Sequence, residues 1–230
     1  MVARDAILGK IRKRLEGRPG RADMAAIAER LEQHRPNLVP ARGQVPLDRR
    51  IALFEEATQA LSGTSDRVGD VSEVPAAVAR YLRQQNLPLQ VRQAPDPRLD
   101  AVPWSQEPLL QVGRGVARPE DQVSVTAVEA AVAETATLVM TSAPETPTSL
   151  NFLPETHIAV LRTSQLHGTY EEVFDDLRER FGPGVLPRSL NFITGPSRTG
   201  DIEQTLELGA HGPRRLHILL VEDAPENEGQ

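Results

Sequence analysis

Five short apolar runs constrain this chain more than any other feature: Val123–Thr126, Thr137–Met140, His157–Leu161, Leu190–Thr194 and Leu216–Val221. Runs of four to eight apolar and β-branched residues, closed by polar loops, read as strands buried on both faces. Helical patterns separate them. Val74–Gln85 has Pro75 suited to its first turn, and Tyr170–Phe181 stops at Gly182-Pro183. The segment AVEAAVAET (127–135) and the stretch Asp201–Leu208 also read as helices. Further strands are expected near Val68 and over Leu87–Val91, while Pro95–Pro108 reads as a loop holding the single tryptophan, Trp104. Strands alternating with helices predict an α/β layer fold around a mostly parallel sheet.

The first 64 residues have a different texture. Ile7, Leu8, Ile11 and Leu15 mark an amphipathic helix over residues 1–16, which EGRPGRAD (16–23) breaks. A short helix follows at Met24–Gln33, then residues 35–46, with three prolines and one glycine, read as a linker or surface arm. Asp48 is placed to cap a helix running through Phe54 and Leu61 up to Gly63. The organisation expected is a helical N-terminal extension (1–64), an α/β domain (65–223) and a polar tail (224–230). Residues 1–50 carry 12 basic and 6 acidic side chains, net +6, whereas the remainder carries 14 and 26, net −12. Aromatic content is 3%, and no aromatic residue interleaves with those arginines, so nucleic acid is not the expected partner. A basic arm of this kind suits an acidic partner, or the chain's own acidic body.

Composition removes whole classes of chemistry. The chain has no cysteine, so it builds no disulfide, thiolate nucleophile or Cys-ligated zinc or iron–sulfur centre. Lys10 and Lys13 are the only lysines, and neither follows a phosphate-loop glycine pattern. No apolar run approaches the roughly 20 residues that cross a bilayer, and charges interrupt the N-terminus at helical spacing. The expectation is a cytoplasmic protein with no membrane span and no cofactor bound by this chain.

Ligands of open α/β sheets collect at the carboxyl ends of strands, which selects the loops after Met140, Leu161 and Thr194. The third, Gly195–Gln204, crowds Ser197, Arg198, Thr199, Asp201 and Glu203 into one junction. Its glycines, Gly195 and Gly200, lack the dinucleotide spacing, and an acidic first turn repels phosphate. Either Thr199 or Asp201 simply caps a helix there, or the loop lines a site. Glu134 precedes a strand and reads either as a pocket carboxylate or as a solvated turn residue. His157 opens a strand and His211 lies in the Gly-flanked loop GAHGP, ahead of Gly212; His34, His167 and His217 have no such setting. No metal-ligand spacing joins the histidines, and no metal is expected.

The segments VTAVEAAVAETATLVM, LNFLPETHIAVL and FITGPSRTGDIEQTLELGAHGPRRLHILLVED together resemble the LUD-domain family, in its lactate-utilization branch, over about residues 120–223. The resemblance implies a three-layer α/β/α fold with a mainly parallel central sheet, similar to CoA-transferases and 5-formyltetrahydrofolate cyclo-ligases. It also implies a part in oxidising L-lactate to pyruvate, alongside an iron–sulfur protein and a Cys-rich oxidoreductase-like partner. Glu134, Asp201, Glu203 and His211 become candidate catalytic residues. Gly195, Ser197, Arg198, Thr199, His157 and Gly212 become candidate ligand-binding residues, with a small carboxylate as a possible ligand. One position departs from the family's A-E-T-G-T: Ala136 stands where glycine is usual. Two other functions fit the residues alone: an independent transferase or ligase acting on a carboxylate, CoA ester or folate-like ligand, and a regulatory or scaffold protein docking through its basic N-terminal helices.

Overall fold

A computed structural model describes residues 2–15, 24–202, 205–209 and 211–223. The chain divides into two compact units, Met1–Leu38 and Val39–Gln230. The first contains α1 (Val2–Leu15) and α2 (Met24–Gln33), close to the predicted bounds. The predicted break over 16–23 lies outside the described residues. Ile7, Ile11 and Leu15 of α1 and Leu31 of α2 are exposed.

The second unit opens with α3 (Leu47–Ala60), where Pro46, not Asp48, holds the capping position. Asp48 sits in the first turn instead, complementing the helix dipole. There follow β1 (Thr64–Val68), α4 (Val74–Gln84), β2 (Gln90–Gln93), α5 (Pro97–Asp100), β3 (Gln111–Arg114), β4 (Val123–Ala127), β5 (Ala130–Val132), β6 (Thr137–Thr141) and α6 (Ser149–Phe152). The chain continues through β7 (Thr156–Arg162), β8 (Leu166–His167), α7 (Tyr170–Phe181), β9 (Leu190–Thr194), β10 (Arg198–Ile202), β11 (Thr205–Leu208) and β12 (Arg215–Val221). The second predicted strand therefore starts three residues later, and ends two later, than the expected Leu87–Val91. The predicted loop Pro95–Pro108 contains α5, whose start is capped by the Asp96 carboxylate accepting the Arg98 N–H at 2.9 Å.

The central sheet has the order β1-β12-β7-β4-β2-β3 and every pair in it is parallel. Because side chains alternate along a strand, its apolar runs divide between two faces. Ile158, Val160, Val123, Val125, Leu219 and Val221 pack on one face with Val78 and Leu82 of α4, Leu99 of α5 and Leu150 of α6. Ala159, Leu161, Leu216, Ile218 and Leu220 pack on the other with Phe54 of α3. This is the layered α/β arrangement expected, with helices flanking a parallel sheet.

A second sheet, β8-β5-β6-β9, covers part of that other face. Ala131, Leu138 and Met140 turn toward the central sheet, while Ala130, Val132 and Val139 turn toward Val173 and Leu177 of α7. The runs at 137–140 and 190–194 belong here, paired antiparallel with each other. Two predicted helices are overturned. AVEAAVAET forms the end of β4, then β5 and a 3₁₀ turn at Ala133–Thr135. Its alanines are buried on both sides, and small side chains allow two layers to close over a strand, which outweighs alanine's helix propensity. Within the predicted helix Asp201–Leu208, Asp201 and Ile202 belong to β10 and Thr205–Leu208 to β11, which pair antiparallel, while 203 and 204 lie outside the described residues.

Candidate functional site

Glu134 sits in the Ala133–Thr135 turn, which ends on Ala136 in the left-handed conformation (φ 49°, ψ 43°). That reversal brings the Glu134 side chain, 5% exposed, to 3.2 Å from Nε of Arg42, which is 65% exposed. Arg42 reaches it because the backbone crosses itself nearby. A Cβ on Gly43 would lie 2.6 Å from the Gly168 carbonyl oxygen, so two glycines permit the approach. The same Gly168 oxygen accepts the Glu134 N–H at 3.3 Å.

Beside Glu134 the strand starts on a cluster of hydroxyls. Thr137 Oγ1 lies 2.8 Å from Thr135 Oγ1, 2.9 Å from the Tyr170 hydroxyl and 2.6 Å from Thr194 Oγ1. A hydroxyl has one proton and two lone pairs, so the fully buried Thr137 satisfies all three neighbours. Thr194 is the cross-strand partner of Thr137 and leads directly into Gly195. Glu134 and Gly195 therefore lie at the same end of the second sheet.

Gly195 has φ +80°, and a Cβ there would stand 3.2 Å from both Cβ and the carbonyl oxygen of Leu61. Arg198 turns onto the end of α3, where its Nη2 donates to the Leu61 carbonyl and, at 3.0 Å, to Ser62 Oγ. It satisfies an orphan helix carbonyl. Ser197 ties the hairpin's base. Its N–H donates to the Pro213 oxygen at 2.8 Å, its oxygen accepts the Gly209 N–H at 2.9 Å, and its Oγ accepts the His211 N–H at 3.3 Å. Gly212 packs beside Ser197, and His211 is exposed. Thr199 pairs with Glu207 and Asp201 lies within β10; Glu203 is outside the described residues. Gly195, Ser197, His211 and Gly212 thus gather at one hairpin base.

His157 lies elsewhere. It is fully buried in β7, its Nε2 2.6 Å from Thr126 Oγ1, and Nδ1 has no hydrogen-bond partner. Burial pushes its pKa down to about 4, so the ring is neutral at pH 7. Of the three loops singled out by the carboxyl-end rule, the one after Leu161 leaves the parallel sheet. The other two end strands of the second sheet, to which the rule does not apply. Among the described residues no group of three or more His, Asp or Glu could hold a metal ion, and no helix is long and apolar enough to cross a membrane.

A feature that the residue patterns did not reveal is a cleft of about 570 Å³ at the amino end of β1, between α3 and α4. His217 forms part of its wall, stacked on Tyr81 with ring centroids 3.9 Å apart and planes inclined by 11°. The one available signal was a histidine inside the apolar run Leu216–Val221, where a polar ring must find partners.

A LUD-domain family model matches residues 121–221, which run from just before β4 through β12 and include the Glu134 turn and the hairpin base. Lactate utilization protein C of Bacillus velezensis is 32% identical over 137 residues, 59% of this chain and 56% of that protein. The protein of the same name in Bacillus subtilis is 36% identical over 102 residues, covering 44% and 42% of the two chains. An uncharacterized protein of Neisseria meningitidis is 37% identical over 90 residues, 39% of this chain and 38% of the other. The matches thus span about half the length of these relatives or less. The crystal structure of a DUF162 family protein from Deinococcus radiodurans superposes with a TM-score of 0.55, covering 77% of this chain and 99% of that one at 21% identity. It shares the fold. Residues 121–221, somewhat less than half of this chain, are thus similar to the LUD domain.

Proposed function

We propose that this protein is an accessory subunit of lactate utilization, supporting the oxidation of L-lactate to pyruvate together with iron–sulfur and Cys-rich oxidoreductase-like partners. The observation that carries this reading is the likeness to lactate utilization protein C over 137 and 102 residues, beside the LUD-domain match at 121–221 that includes the Glu134 turn, β7 and the hairpin base. The lack of cysteine supports the division of labour, because a chain without thiolates leaves Cys-ligated clusters to its partners.

Within this reading the ligand end of the chain is where Glu134, Thr137 and Gly195 converge. Arg42, largely exposed, is a cation at that end that could meet a small carboxylate, at the expense of its pair with Glu134. Glu134, Asp201, Glu203 and His211 are the side chains proposed to act on a bound ligand. Deletion of the gene is expected to abolish growth on L-lactate as sole carbon source, with restoration by the intact chain. A tagged copy from lactate-grown cells is expected to recover a protein with iron–sulfur absorbance. Undiminished growth of the deletion strain on L-lactate would overturn the proposal. Glu134→Gln should impair that growth while leaving the melting temperature near that of the parent.

A further inference from the structure

We propose that the cleft at the edge of β1 binds a small organic cation, a molecule carrying an ammonium or guanidinium group on a polar body. The site lies on the parallel sheet, whereas Glu134 and Gly195 lie at one end of the second sheet. Among the described residues β1 pairs with β12 alone, so the outer edge of Thr64–Asp66 faces the cleft with no strand beside it. The α3 helix supplies Glu55 and Glu56 to one wall, and α4 supplies Tyr81 and Gln84 to the other. At about 570 Å³ the space falls in the roughly 300–1,000 Å³ range of small-molecule sites. Two other clefts, beside Arg92–Asp121 and beneath Arg98 and Arg162, measure about 40 and 20 Å³ and have room for water only.

The charge of the lining sets the sign of the ligand. Three carboxylates, Glu55, Glu56 and Asp66, face the cleft and no arginine or lysine lines it. Arg67 neutralises Glu55 through contacts of 2.7 and 2.5 Å, and Arg80 pairs with Asp66 at 3.0 Å. Glu56 has no ion pair among the described residues. One negative charge is left over within the lining, where burial keeps His217 neutral; outside the lining, Arg215 acts on Tyr81 and partly offsets it. Lactate, pyruvate, phosphate and CoA esters are all repelled by such a lining.

The second observation is a polar group awaiting a partner. His217 is 2% exposed, its Nδ1 lies 2.9 Å from Thr64 Oγ1, and its Nε2 has no hydrogen-bond partner. His217 lines the cleft; when its Nδ1–H donates to Thr64, the unpaired Nε2 behind the wall holds a lone pair that suits a protonated amine or guanidinium, whereas the other tautomer leaves an N–H donor there. An unsatisfied buried nitrogen in a native fold calls for an explanation, and in the wall of a cleft a ligand can supply the missing bond.

The test uses the full chain, with agmatine, spermidine and choline as probes and L-lactate and pyruvate as anionic controls, followed by calorimetric titration and thermal unfolding. At least one cation should bind saturably and raise the melting temperature, and neither anion should bind at this site or compete. Glu56→Gln, at an exposed position, should weaken binding about fivefold, the effect of one partly solvated charge at about 4 Å. Glu56→Arg should abolish binding while the unliganded melting temperature stays near the parent's. If no cation binds at millimolar concentration, or Glu56→Arg binds as tightly as the parent, the proposal fails. Either failure leaves the lactate-utilization reading untouched, because that reading is tested by growth and by partner recovery.

Discussion

Ala136 carries a local conflict with a defined energy. An L-residue in the left-handed region costs about 1–2 kcal/mol, and Ala136 holds φ 49° while 1% exposed in the core. Glycine, usual here in the family motif, releases that strain. It also gives up about 0.5–1 kcal/mol through the freer unfolded chain and about 0.8 kcal/mol of buried methyl. These terms nearly cancel, so Ala136→Gly should change stability by less than about 1 kcal/mol in denaturant titrations. Ala136→Val has no compensating gain. A β-branched residue at positive φ, overpacked against Leu138 and Phe54, should cost about 2–3 kcal/mol. A neutral valine variant would show that the turn is not held as described. The Arg42–Glu134 pair belongs to the same scale. Because Arg42 is mostly solvated, a double-mutant cycle with Arg42→Ala and Glu134→Gln should give a coupling below about 1 kcal/mol. The pair's worth is in placing the carboxylate.

At the scale of elements, β4, β7 and β12 were legible because both of their faces are covered, which leaves continuous apolar runs such as His157–Leu161, whereas the half-exposed β3 carries no such run and was not expected. Tyr170–Phe181 was legible because its Gly182-Pro183 stop is local chemistry. The second sheet was not legible as a sheet. Its strands at 137–141 and 190–194 have the same apolar texture as the parallel ones, and antiparallel pairing leaves no mark in so short a run. Beta5 was hidden by alanine, whose helical preference says nothing of what covers it. In β11, the alternation of Thr205-Leu206-Glu207-Leu208 was the period-two signal, masked by acidic residues that suggested a helix start. The candidate site divides likewise. Glu134 and the GPSR segment stood out by residue type, whereas the hydroxyl cluster depends on Thr137, Tyr170 and Thr194 meeting across three elements. The hairpin's hold on the body gives a ranked expectation. Gly195→Ala adds a Cβ against Leu61 at φ +80° and should cost about 1–2 kcal/mol or more. Ser197→Ala removes one exposed 3.3 Å bond and should cost under about 1 kcal/mol. Thermal unfolding that reverses this order would mean that the Ser197 hydroxyl, and not the Gly195 turn, anchors the hairpin.

Among the described residues the three apolar clusters lie within residues 51–221, in the second unit, and so do both buried histidines. A chain beginning at Val39 should accordingly unfold cooperatively, with a melting temperature within a few degrees of the full chain. His157 and His217 then set the acid limit. Burial lowers both pKa values from 6.5 to about 4; near His217 the Asp66 carboxylate opposes this and Arg80 reinforces it. Above pH 6.5 both rings are neutral in folded and unfolded chains, and neither affects stability. Between 6.5 and about 4 the unfolded chain takes up protons that the folded one refuses, so stability falls as pH falls. Each shift amounts to about 3 kcal/mol at full expression, and the two together rival the typical 5–15 kcal/mol of a domain. Asp121 and Asp223, whose pKa values lie below the ordinary carboxylate range, lose their ion pairs and hydrogen bonds only at lower pH. The denaturant midpoint should therefore be level from pH 8 to 7 and drop steeply between 6.5 and 4. His157→Gln, which keeps an amide near Thr126 but cannot take up that proton, should remove about half of the drop. An unchanged midpoint from pH 7 to 4.5 in the parent would mean that the buried rings are charged or solvated in the fold.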